Sequence, residues 1–281
     1  MSEVKNVAEI SDPKERALAI SALIDDHQAA VAELSRVRRE ALEEILAGGM
    51  SQTRLADLLG MSRSRMSQLL AAGKRPERAF LGEGRITVAI GAKREPDKKT
   101  SVSEMISAEC FTACGLLTEA ARIVGLDVDQ EVVPPPGNVR LNRPNLVVLT
   151  NPRLLPFLSQ VMEADPHIRY IAANKDDWYL IDQSTGVEYR SPRNQGESKD
   201  YGYIGRLPRP DGKGTFLYLA GTHAPGTLGA ATYLVDNLVT LYRELKTRRF
   251  STVVKCEFDP GNSLKITAVE QVTPLYRHDG A

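Results

Sequence analysis

From Arg85 onward the apolar residues of this 281-residue chain stop recurring every three or four positions and gather into short runs separated by turn residues. That change of period constrains the fold more than any other feature. A spacing near 3.6 lines one face of a helix, whereas short apolar runs bounded by Gly, Pro and Asn read as buried strands. Before the change, Ile20, Leu23, Ile24, Ala30, Val31, Leu34, Val37, Ala41, Leu42 and Ile45 keep the helical spacing until Gly48 and Gly49 end it. Asp12 and Pro13 start that region, since Asp is a good N-cap and proline at the first helical position loses no hydrogen bond, and both one helix and two with a break near Asp25 and Asp26 fit the pattern. Two shorter helices are expected within residues 50–81.

After the change, residues 86–90, 146–149 and 216–220 read as strands, and 102–124, 154–163 and 228–245 as helices. Residues 168–191 read as a β-hairpin turning at Ser184, Thr185 and Gly186, and 251–257 with 264–269 as a final strand pair. Strands alternating with helices predict a three-layer, Rossmann-like α/β domain at 85–281, behind an all-helical domain at 1–84.

Charge is balanced overall, 36 Lys and Arg against 36 Asp and Glu, which excludes a globally basic nucleic-acid binder. It is not balanced locally. Residues 1–35 hold three basic and seven acidic side chains, a net of −4, whereas residues 50–80 hold six basic and two acidic ones, a net of +4. A local basic surface in a neutral chain suits a DNA-reading module. The three cysteines make no disulfide framework, the first ten residues lack the pattern of a signal peptide, and no apolar stretch approaches a bilayer's thickness. The expectation is a cytoplasmic protein with no membrane partner.

The basic segment has its own grammar. Leu55, Ala56 and Leu59 supply an apolar face with a small residue at its centre, Gly60 permits a tight turn, and Met61 plugs the core. Ser62 is a strong N-cap for a second helix whose Met66, Leu69 and Leu70 face inward. In these residues the segment resembles the helix-turn-helix of bacterial transcription regulators, phage-repressor-like proteins and the last region of sigma factors among them. The resemblance covers residues 37–73, with the helix-turn-helix at 52–73. It implies binding to double-stranded DNA and sequence-specific regulation of transcription. Arg63, Ser64, Arg65, Ser67 and Gln68 then face base edges, where Arg suits guanine and Gln suits adenine. Gln52, Thr53, Arg54, Lys74 and Arg75 suit phosphates. Residues 12–47 contain a candidate dimerisation helix, so a homodimer or higher homo-oligomer is the expected state.

In the α/β region three loops follow strands and carry residues suited to an anion. They are Gly91 with Lys93 and Arg94, then Thr150 with Arg153, then Gly221, Thr222, His223, Gly226 and Thr227 at the start of a helix. Ligands of open α/β sheets gather beyond the carboxyl ends of the strands, so the three loops predict one crevice for a nucleotide-like or phosphorylated effector. The general look resembles nucleotide-binding sensor domains and Toll/interleukin-receptor-like domains. No resident cofactor or metal set is expected, and Cys110 and Cys114 read as small core residues. Two other readings stand beside the ligand-sensing regulator. One is a glycosidic-bond hydrolase acting on a nucleotide through Glu104, Glu109 and His223, localised by the helix-turn-helix. The other is a DNA-associated assembly or partitioning protein whose second domain oligomerises.

Overall fold

The computed structural model describes residues 2–71, 76–94, 104–174 and 178–278. The chain divides into two compact units, 1–74 and 75–281. The first unit is helical: α1 (Ser2–Ala8), α2 (Pro13–Ala47), α3 (Gln52–Leu58) and α4 (Arg63–Ala71). Asp12 accepts from the amides of Lys14 and Glu15 at 2.7 and 3.3 Å and so starts α2, which runs unbroken for 35 residues until Gly48 and the positive-φ Gly49 stop it.

Ser51 caps α3 through the Arg54 amide, Gly60 turns the chain at φ 63°, and Ser62 caps α4 through the Arg65 amide at 3.1 Å. Leu42 of α2, Leu55 and Ala56 of α3 and Met66 of α4 form a small buried core, with Leu46, Met50, Met61 and Leu70 at its margin. Leu59, expected inside, is 45% exposed, because it ends α3 and lies outside that core.

The second unit is mixed α/β. Its elements are α5 (Arg78–Leu81), β1 (Arg85–Gly91), β2 (Lys93–Arg94), β3 (Glu104–Met105), α6 (Ala108–Ile123), β4 (Asp127–Val133), β5 (Leu146–Leu149) and α7 (Pro156–Met162). There follow β6 (Ile168–Ala172), β7 (Trp178–Asp182), β8 (Glu188–Tyr189), a 3-10 turn (Pro192–Gln195), β9 (Lys199–Pro208) and β10 (Thr215–Gly221). The chain closes with α8 (Ala224–Asp236), α9 (Leu238–Leu245), β11 (Phe250–Asp259), β12 (Asn262–Gln271) and β13 (Tyr276–Arg277).

The main sheet runs β12-β11-β9-β10-β5-β1-β4, with β13 beside β11. Strands β10, β5, β1 and β4 are parallel neighbours, whereas β9, β11, β12 and β13 pair antiparallel. The Rossmann-like expectation is corrected on this point: half the sheet is antiparallel. Phe80 and Leu81 of α5 are buried in the core of the second unit, which as a compact unit spans 75–281.

That core has two sides. Ile86, Val88 and Ile90 of β1, with Val147 and Leu149 of β5, share a cluster with α5, α6, α8 and α9. Ala89, Leu146 and Val148 of the same strands point to the other side, joining α7, β6 and β7. Alternate residues of β1 and β5 are thus buried on opposite faces, which is why these two strands read as continuous apolar runs.

The second cluster contains a buried polar network. Asp165 is fully buried; its Oδ1 accepts from the amides of His167 (2.8 Å) and Ile168 (3.1 Å), and its Oδ2 from the Tyr203 hydroxyl (2.8 Å). His278 Nε2 stands 3.3 Å from Asp165 Oδ1 and 2.9 Å from Ser251 Oγ, which ties the C-terminal residues to the sheet. Burial alone would raise the Asp165 pKa, but the His278 bond, the backbone amides and Tyr203 outweigh it and hold the carboxyl below its ordinary value. A depressed carboxylate stabilises the fold above its unfolded pKa, near 4, and that contribution is lost as pH falls through the lower folded value. Asp165→Asn is therefore expected to cost about 2–3 kcal/mol at neutral pH. Unfolding temperatures of the two proteins, measured from pH 7 to pH 3, should converge at the acid end; a constant gap would refute the assignment.

Candidate anion cleft at the ends of the parallel strands

The chain leaves β1, crosses through α6 to β4 on one side, and returns to β5 on the other side of β1. Loops leaving β1 and β5 therefore diverge, and a crevice opens beyond their carboxyl ends. A cavity of about 120 Å³ lies there, with Gly91 at the end of β1 and Lys93 beyond it, Thr150, Asn151, Arg153 and Leu154 after β5, and His223, Ala224 and Thr227 where β10 passes into α8. Ser107 and Cys110 from the start of α6 and Arg193 from the 3-10 turn complete the lining. All three loops singled out in the sequence meet in one place, and among the described residues none that lines the cavity is acidic.

Each group arrives by a local device. Ser107 is the N-cap of α6, its Oγ accepting from the Cys110 amide at 3.2 Å, so the first turn of α6 opens on the cleft. Ser191 caps the turn that carries Arg193, through the Arg193 amide. Thr150 is buried at the end of β5, and the exposed Lys93, Arg153 and Arg193 stand around the opening. Asn151 Oδ1 and His223 Nδ1 are buried without a protein hydrogen-bond partner. A buried polar atom without a partner carries a desolvation cost that a bound polar ligand relieves. Burial pushes the Cys110 thiol pKa up, so it is a neutral wall of the cleft rather than a thiolate.

The Gly-rich loop before α8 works differently from the expectation. Its free amides are already taken by an internal carboxylate, the fully buried Asp200 of β9. Asp200 Oδ2 accepts from the amides of Gly226 (2.7 Å) and His223 (3.1 Å), and Oδ1 accepts from the Thr222 hydroxyl. Asp200 thus complements the positive end of the α8 dipole from within the protein. The Gly221 amide donates to Thr227 Oγ1 at 2.8 Å. A Cβ on Gly226 would lie 2.1 Å from the Tyr201 carbonyl oxygen, so this glycine is required by the close approach of α8 to β9, not by a ligand. Gly221, Thr222 and Gly226 are therefore withdrawn from the anion set, and so is Arg94, whose exposed strand position does not line the cleft.

Gly91, Lys93, Thr150, Arg153, His223 and Thr227 remain from the sequence reading. Ser107, Cys110, Asn151, Leu154, Arg193 and Ala224 join them. Arg193 sits between the expected hairpin and the next strand, where the local signal is the Ser-Pro start of its turn. Glu104 belongs to β3 and Glu109 accepts from Ser263 Oγ at 2.8 Å; neither is among the residues that line the cleft. His223 Nδ1 lies 3.6 Å from Asp200 Oδ1. Trp178 belongs to β7, and its neighbours Asp176 and Asp177 lie outside the described residues.

In the first unit, Gln52, Arg54, Arg63, Ser64 and Arg65 are exposed and Thr53 is half-buried, all at the starts of α3 and α4. Ser67 and Gln68 belong to α4, but their side chains, like Lys74 and Arg75 altogether, lie outside what the structure describes. Among the described residues no helix is long and apolar enough to cross a membrane, and no group of His, Cys, Asp and Glu could hold a metal ion. No protein-family model matches the chain, and neither the curated proteins nor the solved structures contain a match to it. The sites are accordingly read from their own chemistry.

Proposed function

We propose that the chain is a dimeric, sequence-specific DNA-binding regulator whose second unit senses a small anionic molecule, nucleotide-like or phosphorylated, in the cleft beyond β1, β5 and β10. The observation that carries the DNA reading is the construction of α3 and α4: a dry Leu42, Leu55, Ala56 and Met66 core, a left-handed Gly60 turn, and exposed Gln52, Arg54, Arg63, Ser64 and Arg65 at the two helix starts. A helix-turn-helix needs this division, one face for packing and one for the groove. Helix α4 acts as the recognition helix, and Ser51 and Gln52 place the start of α3 at the phosphate backbone.

Dimerisation falls to α2, about 52 Å long at 1.5 Å per residue. Ile24, Val31, Arg38 and Ile45 repeat every seven residues, as do Ile20, His27, Leu34 and Ala41 between them. These are a and d positions of a coiled-coil heptad, with β-branched residues at three of four a sites, the choice that favours two parallel strands. The seam is bare in the single chain: Ile20 is 40% exposed, Ile24 48%, Val31 62% and Leu34 69%. A second copy of α2 is the occupant that a seven-residue repeat fits, and a two-fold pair of α4 helices then reads a palindromic site.

The test is selection of bound duplexes from random DNA with the full-length protein, followed by titration of phosphorylated small molecules. An enriched palindrome whose occupancy shifts with one of them, and stops shifting in an Arg153→Gln, Arg193→Gln variant, is the expected result. No enriched site sinks the DNA reading, and an effector response unchanged in that variant sinks the role of the cleft.

A further inference from the structure

A second polar cavity, of about 230 Å³, lies at the opposite ends of the same strands, where β1, β5 and β10 begin. Its lining includes Arg206 from β9 and Arg209 and Lys213 from the β9–β10 turn, with the hydroxyls of Thr215 and Thr247. Glu83 is the acidic residue among its walls, and it is exposed.

Arg206 is the unusual member. It is only 6% exposed, and among the described residues no carboxylate pairs with it. One guanidinium nitrogen, Nη2, donates to the Phe80 carbonyl and the group sits over the Phe80 ring, but Nε is buried without a partner. Burial pushes its pKa down to about 10, with no neighbouring anion to oppose that shift. Desolvating a cation is costly unless an anion meets it. Arg209 is held beside it: its Nε lies 3.3 Å from Asp211 Oδ1 and its Nη2 donates to the Lys213 carbonyl, which folds the turn back on itself. The Lys213 amide donates to Asp211 Oδ1 at 2.9 Å, so Asp211 is committed to the turn. After Asp211 has compensated one cation, two positive charges face the cavity, and among the described residues in its walls the exposed Glu83 is the one acid.

We propose that this cavity is a second ligand site, taking a phosphoryl oxyanion between Arg206, Arg209 and Lys213. A tetrahedral oxyanion offers several acceptors at once, which suits a guanidinium that donates through Nε and a second cation from the turn. The site is independent of the cleft at the other end of the strands and does not rest on the DNA reading.

The experiment is thermal unfolding of the full-length protein in inorganic phosphate and in glycerol phosphate, against chloride at matched pH and ionic strength. A saturable rise in unfolding temperature is expected. Lys213→Gln should raise the half-effect concentration about tenfold, the loss of one charge-assisted contact, with little change in chloride. Lys93→Gln, Arg193→Gln, which disarms the other cleft, should retain the response. Arg206→Met, made in the Lys93→Gln, Arg193→Gln background, should abolish the response that this background retains. Equal responses to the two compounds assign the cavity to free phosphate, and a stronger one to glycerol phosphate assigns it to a phosphomonoester. Curves that match those in chloride would overturn the proposal, as would a response lost in the Lys93, Arg193 variant but intact in Lys213→Gln. If Arg206→Met does not fold, the Lys213 variant alone decides.

Discussion

Replacing Arg63 and Arg65 together by alanine is expected to weaken binding to the selected duplex by about 100-fold or more, at about 1–3 kcal/mol for each lost base contact. Both residues are exposed in the first turn of α4, and the core beneath them is built from Leu42, Leu55, Ala56 and Met66, so the variant should fold normally. The comparison that gives the result meaning is non-specific DNA. Affinity for a scrambled duplex should fall much less, because phosphate contacts from the start of α3 survive. Fluorescence anisotropy against both duplexes at two salt concentrations measures this. Equal losses on both would make the arginines phosphate contacts rather than readers of sequence, and unchanged affinity would remove α4 from the interface.

The second large effect is on assembly. Val31→Glu with Leu34→Glu places four carboxylates in the seam of a paired α2, at adjacent a and d layers, where burying like charges is prohibitive. Sedimentation should show a dimer for the natural protein and a monomer for the variant. Affinity for the palindrome should then fall about 100-fold or more, since the second half-site no longer binds intramolecularly. Both side chains are exposed in the single chain, 62% and 69%, so helix α2 itself should persist by circular dichroism. A variant that stays dimeric would place the contact elsewhere, and a natural protein that sediments as a monomer would end the coiled-coil reading.

The elements whose own residues carried a period were legible. Helix α2 starts and stops at the residues the sequence marks, because Asp12 and the Gly48, Gly49 pair act on their own neighbours. β1, β5 and β10 are legible for the same reason, each an apolar run buried on both faces. β9 was not. Gly202, Gly205 and Pro208 interrupt its pattern and no element is assigned there from sequence, yet it is a ten-residue strand within the sheet. Its Gly202 is required because a Cβ there would lie 2.3 Å from the Gly226 carbonyl oxygen of α8, a neighbour 24 positions away. β4 hid for another reason: at the sheet's edge its Asp-Val-Asp-Gln-Glu run stays mostly exposed and polar.

The candidate cleft divides along the same line. That anion-suited loops follow β1, β5 and β10 is a property of residues adjacent in the chain, and the sequence by itself determined it. Which groups remain open to a ligand depended on Asp200, whose buried carboxylate reaches residues 22 to 26 positions ahead and takes the amides that the Gly-rich loop seemed to offer. Only the tertiary structure decided that, and it brought Lys93, Arg153 and Arg193, from three separate segments, to the walls of one cavity. Local patterning fixes what a segment can form because its interactions lie within a few residues; which donors stay unpaired depends on partners brought close by the fold, and no local pattern records them.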